Sequence, residues 1–224
     1  MTILETLTTE QQALIRKHLE LVIKANETTN LTRIDTFEDG LILHVEDSLV
    51  ALPELDDAPK GLYGDMGSGA GYPGIPLAIA TGRKTVLIDA RQKKMEVVGQ
   101  IIKELGLNNQ ISTFAGRAEL LARKQSKRYA ALTARALAKL PVLMELASPL
   151  LKMNGRLICY KAHIEDSELA HARRVQKTTG MTLKTQRELQ LGENFFRKII
   201  VFEKTANPTM KLPRQEGQAQ RKPL

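Results

Sequence analysis

Hydrophobic and polar positions follow a helical period near the N-terminus of the chain. Between Thr8 and Asn26, apolar residues recur every three or four positions, which is typical of an amphipathic helix. The pair Thr8–Thr9, with glutamines three residues on, predicts a capping-box start for this helix. A second helical stretch is predicted from about Phe37 to Leu52, closed by Pro53. Together these helices predict an N-terminal helical cap over residues 1–60.

From residue 61 onward, short apolar runs alternate with helical ones. Seven strands are predicted, near residues 62–63, 84–89, 111–114, 129–133, 156–161, 182–188 and 197–202. Helices are predicted after the first strand and over 92–105, from 117, over 141–151 and over 165–177. Such alternation indicates an α/β, Rossmann-like domain over 61–204, with a mainly parallel seven-stranded sheet and ligands at the carboxyl ends of its strands.

The segment between the first predicted strand and its helix is rich in glycine. Residues Gly64–Pro76 read GDMGSGAGYPGIP, with glycines spaced G-x-G-x-G at Gly67, Gly69 and Gly71. Glycine tolerates positive φ and has no Cβ, so the backbone can turn sharply and approach a ligand closely. A dinucleotide-binding G-x-G-x-x-G would require glycine at position 72, which is Tyr72. The loop therefore differs from the dinucleotide pattern.

Two carboxylates complete this motif. Asp65 precedes the first glycine by two residues, where it could accept hydrogen bonds from a cationic or amino ligand. Asp89 ends the second predicted strand, about 20 residues on, where an acid binds ribose hydroxyls in related folds. The loop, its spacing and the two acids favour a site for S-adenosylmethionine (AdoMet) and a class I AdoMet-dependent methyltransferase.

Composition narrows the classes of partner. The 224-residue chain has a net charge of +8 and a pI near 9.6, which favour a polyanion such as nucleic acid. No apolar run is long enough for a bilayer and no signal peptide is evident, so we expect a cytoplasmic protein without membrane contact. The single cysteine, Cys159, excludes intrachain disulfides, and we predict no metal site. The polar tail, 205–224, is predicted to be loosely ordered.

Several separated motifs resemble those of the bacterial small-subunit ribosomal RNA guanine-N7 methyltransferases, the glucose-inhibited division protein B family. The segment Asp65–Pro76 is similar to that family's D-x-G-S-G-A-G-x-P-G-I-P almost letter for letter. The other similar segments are Asn30-Leu31-Thr32, His44-Val45-Glu46-Asp47-Ser48, Arg117-Ala118-Glu119, Thr133-Ala134-Arg135-Ala136, Tyr160-Lys161, Pro213-Arg214 with Gly217, and Pro223-Leu224. The chain departs from the family at Lys93–Val98 and at Leu212.

The resemblance implies AdoMet as cofactor and a guanine of 16S ribosomal RNA as substrate. It places cofactor contacts at Gly67 and Tyr72, with Ala118 and Glu119 beside the adenine. It also places Arg135 where methyl donor and target meet. The substrate is either naked 16S rRNA or a small-subunit assembly intermediate, and we expect the enzyme to be a monomer.

The residue types agree with methylation at guanine N7. Cytosine C5 would need a thiolate, but Cys159 lies in an apolar strand. Exocyclic amines usually need a polar residue and two prolines after the fourth strand, whereas this chain reads Thr133-Ala134-Arg135-Ala136. Guanine N7 already exposes a lone pair and needs no base. Arg135 could hold guanine O6 or a phosphate by a forked hydrogen bond.

Other polar residues are candidates for substrate contacts or for structure. Lys161 and Arg135 are predicted as catalytic, and both, with Arg197, as RNA-binding. We interpret His44, Asp47 and Ser48 as a network that fastens the cap, ahead of direct RNA contact. The basic residues Arg123, Lys124, Lys127 and Arg128 are read as a solvated loop, with RNA docking as the alternative.

Two other functions remain open at this stage. A small-molecule methyltransferase would carry an aromatic-rich lid, and only 4% of residues are aromatic. A noncatalytic RNA-binding assembly factor would be marked by an eroded glycine loop, and this one is intact.

Overall fold

The computed structural model describes residues 2–191 and 195–224. Its strands are β1 (Tyr63–Met66), β2 (Thr85–Asp89), β3 (Ile111–Ala115), β4 (Tyr129–Arg135), β5 (Leu151–Lys161), β6 (Met181–Leu191) and β7 (Phe195–Lys204). Its α-helices are α1 (Thr9–Asn26), α2 (Phe37–Gly40), α3 (Asp47–Leu49), α4 (Leu52–Asp56), α5 (Gly74–Thr81), α6 (Gln92–Glu104), α7 (Ala118–Lys124), α8 (Leu140–Ala147), α9 (Asp166–Arg174), α10 (Gln176–Thr179) and α11 (Gln218–Arg221). A 3₁₀ turn covers Leu4–Thr6 and a π-helical stretch covers Leu41–Glu46.

The seven strands form one sheet in the order β3-β2-β1-β4-β5-β7-β6. The pairs from β3 to β5 are parallel, and β7 runs antiparallel to both β5 and β6. The predicted Rossmann-like sheet is therefore confirmed. Strand order reverses between β2-β1 and β1-β4, which is the switch point where such sheets bind ligands.

The cap follows the predicted first helix closely. Thr8 and Gln11 form the predicted capping box, in which each side chain bonds the other's backbone N–H. The Gln11 amide also donates to Ile79 O and Ala80 O at 3.1 and 3.0 Å, so the start of α1 is tied to the end of α5.

The second cap helix differs from the prediction. The helical stretch that starts at Phe37 ends at Leu49, and α4 then begins at Leu52 with Pro53 in its first turn. Pro53 therefore starts a helix, because the first turn needs no hydrogen bond from that N–H.

Two boundaries near the sheet also differ. Strand β4 runs on to Arg135, two residues beyond the predicted end at Thr133. Helix α8 ends at Ala147, and Leu151, predicted as helical, opens β5 and pairs with Tyr129. The pairing register shifts between Tyr129 and Ala131, which accommodates this early start of β5.

The C-terminal tail is packed, which contradicts the predicted loose order. The Arg214 guanidinium donates to both carboxylate oxygens of Glu145 at 2.6 Å, and the Gly217 N–H donates to Glu119 at 2.7 Å. Ala219 is buried. Polar composition alone suggested disorder, but partners more than 60 residues away hold this segment.

Candidate active site

The three loop glycines adopt positive φ, of 75° at Gly67, 54° at Gly69 and 93° at Gly71. A Cβ added at Gly67 would come within 2.9 Å of Leu137, and one at Gly71 within 2.6 Å of Ile75. At Gly69 the same atom would meet nothing within 4 Å. A side chain is therefore crowded at Gly67 and Gly71, whereas Gly69 faces open space.

That open space belongs to a cavity of about 420 Å³ at the carboxyl ends of the parallel strands. Such a volume is in the range of small-ligand sites. The predicted residues that line it are Gly67, Gly69, Asp89, Ala118, Glu119 and Arg135. The fold thus brings to one site residues that lie at, or shortly after, the carboxyl ends of β1, β2, β3 and β4. Further lining residues that the motifs did not indicate are Arg91, Lys94, Leu137 and Gln220.

Asp89 is the carboxylate at the end of β2. Gly69 N–H donates to its Oδ2 at 3.1 Å and Arg91 N–H to its Oδ1 at 2.9 Å. A carboxylate has about four acceptor sites, so these two bonds fix its orientation and leave further capacity. A ribose hydroxyl pair in the cavity is a suitable donor for that capacity. The residues present therefore fit AdoMet.

Asp65 occupies a different position from the one predicted. Its side chain is fully buried and accepts from Thr133 Oγ1 at 2.7 Å and from Gly74 N–H at 2.9 Å. It does not line the cavity. Burial raises the pKa of this carboxyl to about 6, against the opposing effect of both hydrogen bonds. Asp65 therefore joins β1, β4 and the start of α5, and shapes the loop from beneath.

Tyr72 and Gly71 also lie outside the cavity lining. The Tyr72 ring is buried and stacks on His44 with centroids 4.4 Å apart and planes at 7°. The Tyr72 ring also contacts His18, with ring centroids 4.5 Å apart and planes tilted by 39°. Burial lowers the pKa of both histidines to about 3, so they are neutral at pH 7. This aromatic group packs the cap against the glycine loop.

One cap carboxylate holds the two predicted RNA-binding arginines. Asp47 is only 1% exposed and accepts from Arg135 Nη1 at 2.8 Å and from Arg197 Nε at 2.5 Å. Tyr160 donates to Ser48 O, and Thr32 is bonded to His44. The predicted network of His44, Asp47 and Ser48 is therefore confirmed as a fastening of the cap.

Arg135 lies at the point where two cavities meet. It lines the 420 Å³ cavity and also a neighbouring one of about 240 Å³, which includes Tyr160, Lys161 and Arg197. Its Nη1 also donates to Leu43 O at 3.2 Å. Within the described residues its Nε and Nη2 form no hydrogen bond, so these donors can serve a ligand.

Lys161 already has two protein partners. Its ammonium forms an ion pair with Glu168 at 2.7 Å and donates to Ala138 O at 2.9 Å, which ties the end of β5 to α9. These contacts favour a structural role for Lys161. That Lys161 takes part in catalysis or contacts RNA stays a prediction. The predicted basic loop is partly helical, because Arg123 and Lys124 form the last turn of α7. Arg123 pairs with Glu216 at 3.6 Å, and Lys124 lies over the Phe114 ring.

Comparison with known proteins identifies the family. The model of the GidB family, described as rRNA small subunit methyltransferase G, matches residues 11–196. The chain belongs to the GidB family. A relative from Carboxydothermus hydrogenoformans, named ribosomal RNA small subunit methyltransferase G, is 33% identical over 96% of this chain and 92% of its own. Another relative of that name, from Deinococcus radiodurans, is 37% identical over 92% of this chain and 83% of its own length.

Solved structures resemble this GidB-family chain in fold. A geranyl diphosphate methyltransferase in complex with SAM has a TM-score of 0.56 and 13% identity, covering 71% of this chain and 86% of that one. A sarcosine dimethylglycine methyltransferase described as putative, from Galdieria sulphuraria, has a TM-score of 0.58 and 11% identity, covering 80% and 91%. The predicted methyltransferase fold and family are therefore confirmed.

Proposed function

We propose that this chain transfers a methyl group from AdoMet to N7 of a guanine in small-subunit ribosomal RNA. The observation that carries the proposal is the cavity in front of the glycine loop, which shares Arg135 and Ala136 with a second, neighbouring cavity. A donor and an acceptor base can thus meet at one strand end. The name shared by the family's relatives supports rRNA as substrate.

The first cavity is the proposed AdoMet site. Asp89 would accept from the ribose hydroxyls, Ala118 and Glu119 would flank the adenine, and Gly69 would allow close approach of the backbone. When bound, AdoMet supplies an electrophilic methyl group. Asp65, Gly71 and Tyr72 act behind this site, by holding the loop and cap in place.

The protein groups around the site agree with an acceptor that needs no base. Cys159 is fully buried, and burial raises the pKa of its thiol to about 12, so it supplies no thiolate at neutral pH. The buried His18 and His44 are engaged with Tyr72 and lie outside both cavity linings. The exposed His163 does line the second cavity, but guanine N7 carries no proton for it to remove. Catalysis would then consist mainly of positioning, with the free donors of Arg135 orienting guanine or its phosphate.

The mouth of the second cavity favours a large, anionic substrate over a small one. Arg197 lines both that cavity and a third, which Phe196 also lines, and Phe196 is 63% exposed. An exposed ring beside cations suits an unpaired nucleobase of RNA.

No described helix is both long and apolar enough to cross a membrane.

Transfer of tritium from labelled AdoMet tests the function. Purified small-subunit rRNA, assembly intermediates, free nucleosides and small metabolites are offered separately, and labelled RNA is digested to locate the modified base. We expect label as 7-methylguanosine in rRNA or in particles only. Label in metabolites alone would favour a small-molecule methyltransferase. AdoMet binding without transfer to any RNA would favour an assembly factor.

A further inference from the structure

The C-terminal tail reaches the proposed cofactor cavity. Gln220 lines that cavity, and its side-chain oxygen accepts from Arg117 Nη2 at 3.1 Å. Arg117 lines the cavity as well and immediately precedes α7. With its oxygen bonded to Arg117, the Gln220 amide has its two N–H donors left to offer a ligand.

The same tail holds Glu119, which also lines the cavity. Glu119 is 3% exposed, and its Oε1 accepts from the Gly217 N–H at 2.7 Å. A buried carboxylate needs such donors, since each unsatisfied oxygen carries a large desolvation cost. The tail therefore fixes the orientation of a side chain in the cavity wall.

Three anchors keep the tail in this position. The Arg214 fork binds Glu145 on α8, a carboxylate only 2% exposed. Arg123 on α7 donates to Arg214 O at 3.3 Å, and His171 on α9 is bonded to the Leu224 carbonyl. A forked arginine–carboxylate pair sets both position and angle. The tail is thus attached to α7 and α8, both of which contribute residues to the cavity lining, and also to α9.

From these contacts we infer that residues 213–224 form a wall of the AdoMet site, with Gln220 as a ligand-contacting residue and Arg214 as a positioning residue. This inference rests on the proposed function, because it assigns AdoMet to the cavity. Binding and tail docking are then coupled, so each must favour the other by the same factor.

The first test is protection from trypsin in the full chain. Trypsin cleaves after Lys211 and Arg214, and cleavage there releases the tail. If AdoMet binds only the state in which the tail is docked, AdoMet at ten times its Kd should slow release of the tail by about 10-fold. Slowing of less than twofold overturns the inference. Mass spectrometry of the released peptide reports the rate without any need for RNA or turnover.

The second test separates AdoMet affinity from turnover. Arg214→Gln is combined with Glu145→Gln, so that no buried charge is left unpaired. We expect the KM for AdoMet to rise about 5- to 10-fold, with kcat at saturating AdoMet within twofold of the unchanged chain. Gln220→Ala, at an exposed position that cannot unfold the chain, should raise the KM about threefold. Gln100→Ala, at an exposed glutamine of α6 outside both the tail and the cavity lining, is the matched control.

The results distinguish this inference from the proposed function. If the unchanged chain fails to bind AdoMet in calorimetry, the proposed function is wrong and the tail assignment falls with it. If the unchanged chain binds AdoMet and the fork and Gln220 variants bind it equally well, only the tail assignment is wrong.

Discussion

Gly69 provides a sharp test of the cofactor site, because the structure separates its two possible roles. Gly69 and Gly82 both adopt positive φ, of 54° and 67°, and a Cβ at either would meet nothing within 4 Å. Gly82 ends α5, away from the cavity lining, whereas Gly69 lines the cavity. Gly69→Ala and Gly82→Ala therefore impose similar backbone strain, and only the first places a methyl group at the site.

The expected magnitudes follow from that geometry. A left-handed L-residue costs about 1–2 kcal/mol, partly offset by the lower entropy of the unfolded chain, so each variant should lose about 1 kcal/mol. In a chain of this size that loss lowers the melting temperature by about 2–4 °C. A methyl group forced into a packed contact costs about 1–3 kcal/mol, so Gly69→Ala should weaken AdoMet binding about 5- to 150-fold.

Calorimetric titration with AdoMet and thermal melting measure the two effects on the same samples. Gly69→Val, which extends the obstruction, should abolish binding while the circular dichroism spectrum is retained. Gly82→Ala should bind AdoMet like the unchanged chain. Equal affinity for Gly69→Ala and Gly82→Ala would show that the ligand does not approach this backbone, and the cofactor assignment would then fail.

Three other perturbations test the acceptor side and the cap. Arg135→Ala should lower single-turnover methylation of rRNA by about 100-fold or more and Arg135→Lys should recover little, whereas near wild-type rates with lysine would refute the forked contact. The chain has no tryptophan, so Phe196→Trp introduces a single tryptophan whose fluorescence should be quenched when rRNA binds and should recover when salt is added. Met153→Trp, at another exposed position, is the control whose fluorescence rRNA should not quench. His18 and His44, with pKa values of about 3, contribute stability above pH 6.5 that is lost as the pH falls. His18→Gln should therefore reduce the slope of unfolding free energy between pH 6.5 and 5 by about 1.1 kcal/mol per pH unit, and an unchanged slope would show that folding does not lower the pKa of His18.

Local patterns in the sequence were enough to predict the fold and several residues that line the proposed cofactor cavity. The capping residues of α1, the alternation of strands and helices, and the glycine loop depend on neighbouring residues, so they can be read from the chain. Gly67, Gly69, Asp89 and Arg135 line one cavity because parallel strands bring their carboxyl ends to a common edge.

Tertiary structure alone decided how the remaining residues are used. Asp65 stands at the expected place in the motif, yet Thr133, 68 residues away, occupies one of its oxygens and keeps it out of the cavity. The packed tail depends on Glu145, 69 residues before Arg214. Hydrogen bonds over such separations are set by which elements pack together, and no local pattern of hydrophobic and polar positions records them.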